Sequence, residues 1–392
     1  MLKKTTINIL GAYDRHNYGD LLFPIILKEF ITNEPNNDKY LINIYSIVES
    51  DLSEYGALKT KKLSHFYDSI ENDSSILIVA GGDILTAQWS SVLLALKHPA
   101  KIFMRGGRVT SKLFNRNKLA KFFLGGKSDF PFVIKKSDFP RLKAVVYNSV
   151  GGTNFHKFSN LYDSSLFGDY LSVRDENIFN NIKKESKSVK LVPDSAVIMS
   201  EYYPLDNLNK LINPNVRDFV EKQPFVFFQI NKTLSLNKVD KIAQVLKTIS
   251  SEYNLKICLC PIGRAGSHED HIPLNKIHSL LKDESFYIDQ PSIWDTMFLI
   301  ARSEIYIGTS LHGAITAMSY NVPYMGIEVT KLNQYLKTWS FEPLNKTYKI
   351  SDILVNFKEI KNADKQQLSL SRNNQVDLVR ESFKKIIYIV DN

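Results

Sequence analysis

The chain has 392 residues, of which 44% are hydrophobic and 23% charged, a composition typical of globular proteins. This length is too great for one ordinary hydrophobic core and predicts two domains of roughly 150–200 residues. The apolar part of residues 1–10 is too short for a secretory signal, and no other window approaches the roughly 20 apolar residues of a membrane span. We therefore expect a cytoplasmic protein.

Short apolar strands alternate with helical segments along the first half of the chain. The predicted strands lie at residues 6–10, 41–47, 76–79, 144–150, 170–173 and 190–192. Glycine-rich turns follow several of them, as at Gly81-Gly82 and Gly151-Gly152. Repeated strand–loop–helix units of this kind predict a doubly wound parallel sheet.

The positive charge of the chain is concentrated in an insertion at about residues 99–143. Within it, residues 101–143 contain twelve Lys and Arg against two Asp, a net charge of +10, whereas the whole chain has a net charge of +9. Its seven phenylalanines suit contact with an anionic membrane surface or with a phosphate-bearing acceptor. The alternative is a solvated basic insertion with the phenylalanines packed beneath it. No zinc, helix-turn-helix or single-strand-binding signature accompanies the charge, so nucleic acid is not an expected partner.

A second series of strands begins after the Pro-spaced stretch 202–223. The predicted strands lie at residues 225–230, 256–260, 286–288, 305–307 and 324–327. We therefore predict an α/β fold of two Rossmann-like, doubly wound domains that face each other across a cleft, a GT-B-like architecture. The N-terminal domain is placed at residues 1–205, on the acceptor side, and the C-terminal domain at 222–368, on the donor side. Residues 369–392 are predicted to form a helix that packs back on the N-terminal domain.

Polar side chains occupy the turns that end the strands of the first half. The candidates are Asn17, Asp20, Asp83, Arg174 and Asp194. The ends of strands in such sheets are places where a ligand comes close. Carboxylates there can act as bases or bind hydroxyls, and an arginine suits phosphate or carboxylate. The alternatives are helix caps for the aspartates and a surface ion pair between Arg174 and Asp175 or Glu176.

The most informative stretch is Gly308-Thr309-Ser310-Leu311-His312-Gly313, directly after the strand 305–307. It falls on a strand-to-helix turn, which points free N–H groups and the positive end of a helix dipole at the cleft. His312 can bind an anion there and transfer a proton near neutral pH. Arg264, in the polar loop 263–273, is a further candidate for anion or acceptor binding. The pattern predicts chemistry on a phosphorylated or carboxylated small molecule.

In their order along the chain, these motifs resemble the polysaccharide pyruvyl transferase family. The motifs are Asn17-x-Gly19-Asp20, Gly81-Gly82-Asp83, Ser172-Val173-Arg174-Asp175, Pro193-Asp194-Ser195-Ala196, and Ser310-Leu311-His312-Gly313 followed by Pro323. The likeness spans about residues 7–332 and implies a GT-B-like fold. It also implies transfer of the enolpyruvyl group of phosphoenolpyruvate onto sugar hydroxyls. The implied product is a pyruvate ketal on a surface-polysaccharide precursor, as in capsule and exopolysaccharide biosynthesis.

The resemblance implies roles for individual residues. His312 and the backbone of Leu311 match the positions that hold phosphoenolpyruvate, and Arg174 matches the Arg-Asp pair of the first domain. We expect His312 to act as the acid or as a phosphate ligand. Asp83 or Asp20 is the expected base for the sugar hydroxyl. No metal ion or other cofactor is expected, since phosphoenolpyruvate is itself the donor substrate.

One position departs from the family pattern. The family commonly has an arginine just before Leu-His-Gly, and this chain has Ser310. The positive charge of the missing arginine would have to come from Arg264, Arg302 or Lys331. Lys331 stands where the family often has a lysine after its last strand. The expected anion clamp is therefore Arg174 with Arg264 or Lys331.

The expected partners are phosphoenolpyruvate and a glycan acceptor. The basic, aromatic insertion favours a lipid-linked acceptor and a location at the inner face of an anionic membrane. One alternative function is a GT-B glycosyltransferase that uses a nucleotide sugar, with Glu328 as the carboxylate that binds the ribose. The other is a catalytically silent module that binds a glycan or an anion.

Overall fold

The computed structural model describes residues 4–72, 75–96, 98–104, 115–155, 168–184, 188–266 and 268–392. Within these ranges the chain forms two β-sheets, one from each half of the sequence. All the strand pairings within them are parallel. The predicted α/β class with two Rossmann-like, doubly wound sheets is therefore confirmed.

The first sheet has seven strands in the order β3-β2-β1-β4-β5-β6-β7. They are β1 (Thr5–Leu10), β2 (Tyr40–Ser46), β3 (Lys61–Lys62), β4 (Ser75–Ala80), β5 (Leu142–Val150), β6 (Tyr170–Val173) and β7 (Lys190–Leu191). The central strand β4 is buried along its whole length, as a near-continuous apolar run in a parallel sheet requires. The strand order reverses between β1 and β4, which opens a crevice at their carboxyl ends.

Helices connect and follow the strands of the first half. They are α1 (Tyr18–Asn33), α2 (Leu63–Asn72), α3 (Trp89–Ala95), α4 (Lys101–Met104), α5 (Arg116–Leu124), α6 (Glu176–Ile182), α7 (Met199–Tyr202), α8 (Leu205–Leu208) and α9 (Pro214–Lys222). The basic insertion contains α4 and α5. Arg105, Arg108, Lys112 and Phe114 of that insertion lie outside the described residues.

The second sheet has six strands in the order β10-β9-β8-β11-β12-β13 and reverses between β8 and β11. Its strands are β8 (Phe225–Gln229), β9 (Lys256–Leu259), β10 (Ser285–Tyr287), β11 (Ile305–Gly308), β12 (Tyr324–Ile327) and β13 (Thr347–Tyr348). Its helices are α10 (Lys232–Ser235), α11 (Val239–Tyr253), α12 (His271–Leu281), α13 (Ile293–Arg302), α14 (Leu311–Ser319), α15 (Thr330–Trp339) and α16 (Ile353–Lys361). The two-residue edge strands β3 and β13 carry no apolar run, so the sequence pattern did not indicate them.

The last helix, α17 (Lys365–Asp391), returns to the first half of the chain. Its Ser382 hydroxyl lies 2.9 Å from the Tyr170 hydroxyl at the start of β6. Near its end, Asp391 accepts a hydrogen bond of 2.8 Å from the Tyr40 hydroxyl of β2. No helix in the described ranges, α17 included, combines the length and apolar character needed to cross a membrane.

The two halves pack directly against each other. One continuous apolar cluster includes side chains of β1 and α1 as well as β11, α14 and α17. The loop after β1 is also joined to the loop after β9 through the backbone. The N–H of Tyr18 donates to the carbonyl of Ile262 at 3.0 Å, and the N–H of Arg264 donates to that of His16 at 3.1 Å. The two sheets are thus held with their carboxyl ends facing one another.

Candidate active site

A cavity of about 500 Å³ lies between the two sheets. Its walls include the loops that follow β1, β4, β8 and β11, the four strands at which the two sheets reverse their order. Both crevices therefore open into the same space, where ligands of such folds bind.

A buried arginine anchors the first-half wall of the cavity. Arg174 follows β6 and is only 2% exposed. Its Nη1 donates to Oδ2 of Asp194 at 3.0 Å, and its Nη2 donates to Oδ1 of Asp83 at 3.1 Å. A methyl group at Gly151 would lie 2.7 Å from Nη2, so this glycine lets the backbone approach the guanidinium. Burial opposes the charge of Arg174, but Asp83, Asp194 and Asp175 outweigh it and raise its pKa above the ordinary value.

The two carboxylates around Arg174 are held ionised. Burial opposes the charge of Asp83, but Coulombic attraction to Lys331 and Arg174 dominates and lowers its pKa. Lys331 reaches from α15, with Nζ 3.7 Å from Oδ2 of Asp83. The hydroxyl of Thr153 donates to the same oxygen at 2.9 Å. Burial likewise opposes the charge of Asp194, yet His312 and Arg174 hold its pKa below the ordinary value.

His312 stands in the first turn of α14, between the two halves. Its Nε2 lies 3.4 Å from Oδ2 of Asp194, an ion-pair distance without the alignment of a hydrogen bond. The imidazole and the ring of Phe23 pack in a T-shaped arrangement, with centroids 5.3 Å apart. A methyl group at Gly19 would lie 1.9 Å from Nδ1 of His312, so glycine is needed where α1 passes the imidazole.

The turn before His312 is shaped by a buried amide–carboxylate pair on the second-half wall. The side-chain oxygen of Gln229 accepts the N–H groups of Thr309 and Ser310, each at 3.0 Å. The Gln229 amide donates to Oδ2 of Asp270 at 2.8 Å. The same oxygen accepts the N–H of Gly263 at 2.8 Å. Burial raises the pKa of Asp270 to about 6, against the opposing effect of these hydrogen bonds.

The turn leaves backbone donors facing the cavity. Ser310 is the N-cap of α14, and its hydroxyl accepts the N–H of Gly313 at 3.2 Å. Within the described residues, the N–H groups of Leu311 and His312 have no backbone or side-chain acceptor. A helix N-terminus of this kind attracts an anion.

Asp20 faces the cavity from the first turn of α1. Its Oδ2 accepts the side-chain amide of Asn17 at 2.7 Å. Asn17, not Asp20, occupies the N-cap position of α1. The alternative of a capping role for Asp20 is therefore wrong. The surface ion pair considered for Arg174 is also wrong, because Asp175 instead accepts the N–H of Ile178 and caps α6.

The structure brings most of the predicted site residues together. The cavity is lined by Asn17, Asp20, Asp83, Arg174, Ser310, Leu311, His312 and Lys331. Asp194 lies behind this wall, between Arg174 and His312, and it also accepts the N–H of Ala196 at 3.1 Å. The capping role considered for Asp194 is thus combined with its contact to the site. Gly313 lies deeper in α14, against the ring of Tyr306.

Two predicted cations lie elsewhere. The guanidinium of Arg264 turns away from the cavity to the carboxylate of Asp289, with Nη1 2.8 Å from Oδ1. Arg302 lines a separate depression beside Arg217. The expectation that Arg264 belongs to the anion clamp is therefore corrected, because its charge is already paired outside the cavity.

Several polar residues of the cavity wall were not assigned to the site from the sequence. Among them are Arg15, Gln229, His268 and Asp270. Arg15 stands two residues before Asn17, and His268 belongs to the polar loop that contains Arg264, so proximity to known motifs was the available signal. Gln229 and Asp270 are 41 residues apart and carry no local motif, so their pairing could not be read from the sequence.

Comparison with known proteins identifies both a family and a fold. A family model described as polysaccharide pyruvyl transferase matches residues 17–330. No curated protein matches the chain. Similar solved structures include UDP-GlcNAc 2-epimerases. That of Methanocaldococcus jannaschii is 12% identical, covering 98% of this chain and 99% of that chain, with a TM-score of 0.58. That of Rickettsia bellii is 12% identical, covering 99% and 96%, with a TM-score of 0.58.

The epimerase of Neisseria meningitidis is similar to a like degree, at 10% identity, with 98% of this chain and 100% of that chain covered and a TM-score of 0.56. At such identities the likeness shows the fold alone. It confirms the predicted GT-B-like arrangement of two Rossmann-like units.

Proposed function

Because the chain belongs to the polysaccharide pyruvyl transferase family, we propose that it transfers the pyruvyl group of phosphoenolpyruvate to sugar hydroxyls of a surface-polysaccharide precursor. The product is a pyruvate ketal. The observation that carries the proposal is the shared cavity, in which His312 and the start of α14 face Arg174, Asp83 and Lys331. An imidazole, two cations and free N–H groups around one space suit a small, multiply charged anion.

In the proposed reaction, His312 donates a proton to the methylene carbon of phosphoenolpyruvate. The resulting cationic carbon bonds to a sugar oxygen, and the proton of that hydroxyl passes to a carboxylate. Inorganic phosphate then leaves with the carbon–oxygen bonding pair and carries away the proton held by the carboxylate. A second hydroxyl of the sugar bonds to the same carbon, and its proton returns to His312. The carboxylate of Asp194, 3.4 Å from Nε2, positions the imidazole of His312. The reaction as written requires no metal ion.

Of the two candidate bases, the surroundings favour Asp20. Asp83 is bound by Arg174 and Thr153 and lies near Lys331, and its lowered pKa makes it a poor proton acceptor. Within the described residues, the only side chain that donates a hydrogen bond to Asp20 is the neutral amide of Asn17. We assign Asp20 as the base and Asp83 as the residue that positions Arg174 and Lys331.

The reaction is tested by incubating the protein with phosphoenolpyruvate and a candidate glycan. Mass spectrometry should show the gain of one pyruvate ketal, with release of one phosphate per ketal. His312→Ala should slow transfer by about 10²–10⁴-fold and leave the melting temperature nearly unchanged. Near-normal turnover by His312→Ala would show that the role given to His312 is wrong.

The base assignment has its own test in a matched pair of variants. Asp20→Asn should lower kcat while the KM for phosphoenolpyruvate is kept. Asp83→Asn should mainly raise that KM, because it loosens Arg174 and Lys331. The opposite pattern would exchange the two roles.

The alternative nucleotide-sugar function receives less support from the site. Glu328, the carboxylate considered for ribose binding, does not line the cavity. Its Oε2 lies 3.8 Å from Nζ of Lys238 instead. Thermal-shift measurements with phosphoenolpyruvate and with UDP-sugars compare the two functions directly, since a bound ligand stabilises the folded protein.

We also propose that the acceptor is lipid-linked and that the protein acts at the inner, cytoplasmic face of an anionic membrane. The basic insertion presents Ile102 and Phe122 to solvent, with exposed fractions of 71% and 78%. Lys101 adjoins Ile102, and Lys118 precedes Phe122 by one helical turn. Apolar side chains beside lysines suit an anionic bilayer surface. An Ile102→Ser/Phe122→Ser double variant should lose co-sedimentation with anionic vesicles, and unchanged co-sedimentation would refute this contact.

A further inference from the structure

The family commonly has an arginine directly before Leu-His-Gly, and this chain has none at that position. Ser310 stands at that position, and its hydroxyl is occupied as the N-cap of α14. Arg264 and Arg302 lie outside the cavity. Arg174 is shared between two carboxylates, and Lys331 already lies near Asp83. A phosphate group in this cavity therefore needs positive charge from another source.

Arg15 is a cation in the right place. It belongs to the loop between β1 and α1 and lines the cavity, with a side chain that is 13% exposed. Its Nε donates to Oδ1 of Asp14 at 2.9 Å. The buried Asp14 is itself fixed, since its Oδ2 accepts the N–H of Val48 at 3.2 Å. The guanidinium is thus held in one orientation.

Arg15 also has a donor without an acceptor. Nη2 is buried and makes no hydrogen bond to the described residues, although Oδ1 of Asp14 is 2.8 Å away, because the alignment is poor. An unsatisfied charged donor is costly, and an anion in the cavity would satisfy it. The planar fork of arginine suits the oxygens of phosphate.

His268 lines the same cavity from the second half of the chain. Its imidazole packs on Gly263, where a methyl group would lie 2.7 Å from its Cβ. Burial lowers the pKa of His268; Lys331 lowers it further, Asp20 raises it, and Arg15 lowers it. His268 therefore lies near two cations and the carboxylate of Asp20. An anion bound between His268 and the two cations would offset their repulsion and favour the imidazolium.

The loops that carry Arg15 and His268 are joined to each other. The N–H groups of Arg264 and Ala265 both donate to the carbonyl of His16, at 3.1 Å and 3.3 Å. The N–H of His268 in turn donates to the carbonyl of Ala265 at 3.0 Å. Arg15 and His268 are therefore held on one continuous backbone frame that spans both halves of the protein.

We propose that Arg15 and His268 bind the phosphate group of the donor and supply the positive charge that the family commonly places at position 310. This inference rests on the proposed function, because the phosphate belongs to phosphoenolpyruvate. It adds a specific phosphate subsite, built from the loop after β1 and the loop after β9. Arg174 and Lys331 are then left for the carboxylate of the donor.

The test is isothermal titration calorimetry, in which inorganic phosphate and, separately, phosphoenolpyruvate are titrated into the full-length protein. Arg15→Gln and His268→Gln should each weaken binding of both ligands by about tenfold or more. Arg264→Gln is the matched control, an arginine of the neighbouring loop paired outside the cavity, and should change binding by less than about twofold. Adding Ser310→Arg to Arg15→Gln should restore binding.

His268→Gln keeps the inference testable if Arg15→Gln does not fold, since it leaves the Asp14 pair intact. Wild-type phosphate affinity in both variants would overturn the inference. So would an absence of saturable phosphate binding by the wild type. Phosphate binding is measured without a glycan acceptor and does not depend on the transfer reaction. If the wild type binds phosphate but forms no ketal, and Arg15→Gln still weakens phosphate binding, the proposed function is wrong and the phosphate subsite is supported.

Discussion

The two walls of the cavity are built by different means. The first-half wall consists of charged side chains bound to one another, with Arg174 between Asp83 and Asp194. The second-half wall presents backbone N–H groups and an imidazole, shaped by the Gln229–Asp270 pair behind them. Removing one partner of a buried ion pair leaves the other charge unpaired and destabilises the fold strongly. A hydrogen-bonded turn can lose one hydrogen bond and relax. The first wall should therefore be much more sensitive to single substitutions.

The largest expected effect is that of Arg174→Met, which removes the cation between the buried Asp194 and the partly exposed Asp83. Breaking the buried Arg174–Asp194 pair should lower the free energy of unfolding by about 3–5 kcal/mol and abolish transfer. Urea unfolding of the purified variant provides the measurement. A loss below about 1 kcal/mol would mean that the pairs behave like surface ion pairs and that the contrast between the walls is wrong.

Asp270→Asn examines the second wall through its pH dependence. The pKa of Asp270 is about 6 in the folded protein against an ordinary value of 3.8. A raised native pKa stabilises the fold fully below the unfolded value, and this stabilisation is lost as pH rises through the native pKa. The wild type should therefore lose about 2 kcal/mol relative to Asp270→Asn between pH 4 and 7. A constant difference across that range would show that the carboxyl is not perturbed by burial.

Gly19→Ala acts where the two walls touch. Its methyl group would collide with the imidazole of His312, so overpacking should cost about 1–3 kcal/mol and displace His312. Transfer should fall more than stability, which activity and thermal unfolding measured together will show. Gly266→Ala is the matched control, because its methyl group would have no neighbour closer than 3.6 Å. Equal effects of the two substitutions would contradict the close packing at Gly19.

The smallest expected effect is that of Ser310→Ala, which removes the N-cap of α14. Loss of this cap should cost about 1 kcal/mol, and Ser310→Asn should retain most of the stability. Differential scanning calorimetry of the two variants gives the comparison. A loss as large as that of Arg174→Met would show that the second wall depends on single contacts as strongly as the first.

The sequence was sufficient to locate the site but not to complete it. Asp20, Asp83, Arg174 and His312 could be predicted, because each follows a recognisable strand and parallel strands end at the same edge of a sheet. No comparable rule predicts where a side chain in a long loop points, so the prediction that Arg264 lies in the cavity is wrong.

The same limit explains the residues that were missed. Arg15 and His268 lie in loops whose conformation depends on backbone contacts between the two halves of the protein. The pairing of Gln229 with Asp270 depends on the packing of β8 beside the loop before α12. Strand and helix periodicity carries no information on such contacts.

The backbone bonds between the loops after β1 and β9 restrict how this protein can move. Rigid-body hinge opening is a common way for two-lobed proteins to exchange ligands. Here a hinge rotation would have to break the bonds Tyr18–Ile262 and Arg264–His16 and expose apolar side chains shared by both lobes. The lobes should therefore stay docked through each catalytic cycle, with substrates passing only by side-chain motion at the cavity mouth. We expect slow hydrogen exchange at the backbone amides of Tyr18 and Arg264, at the same rate with and without substrate turnover.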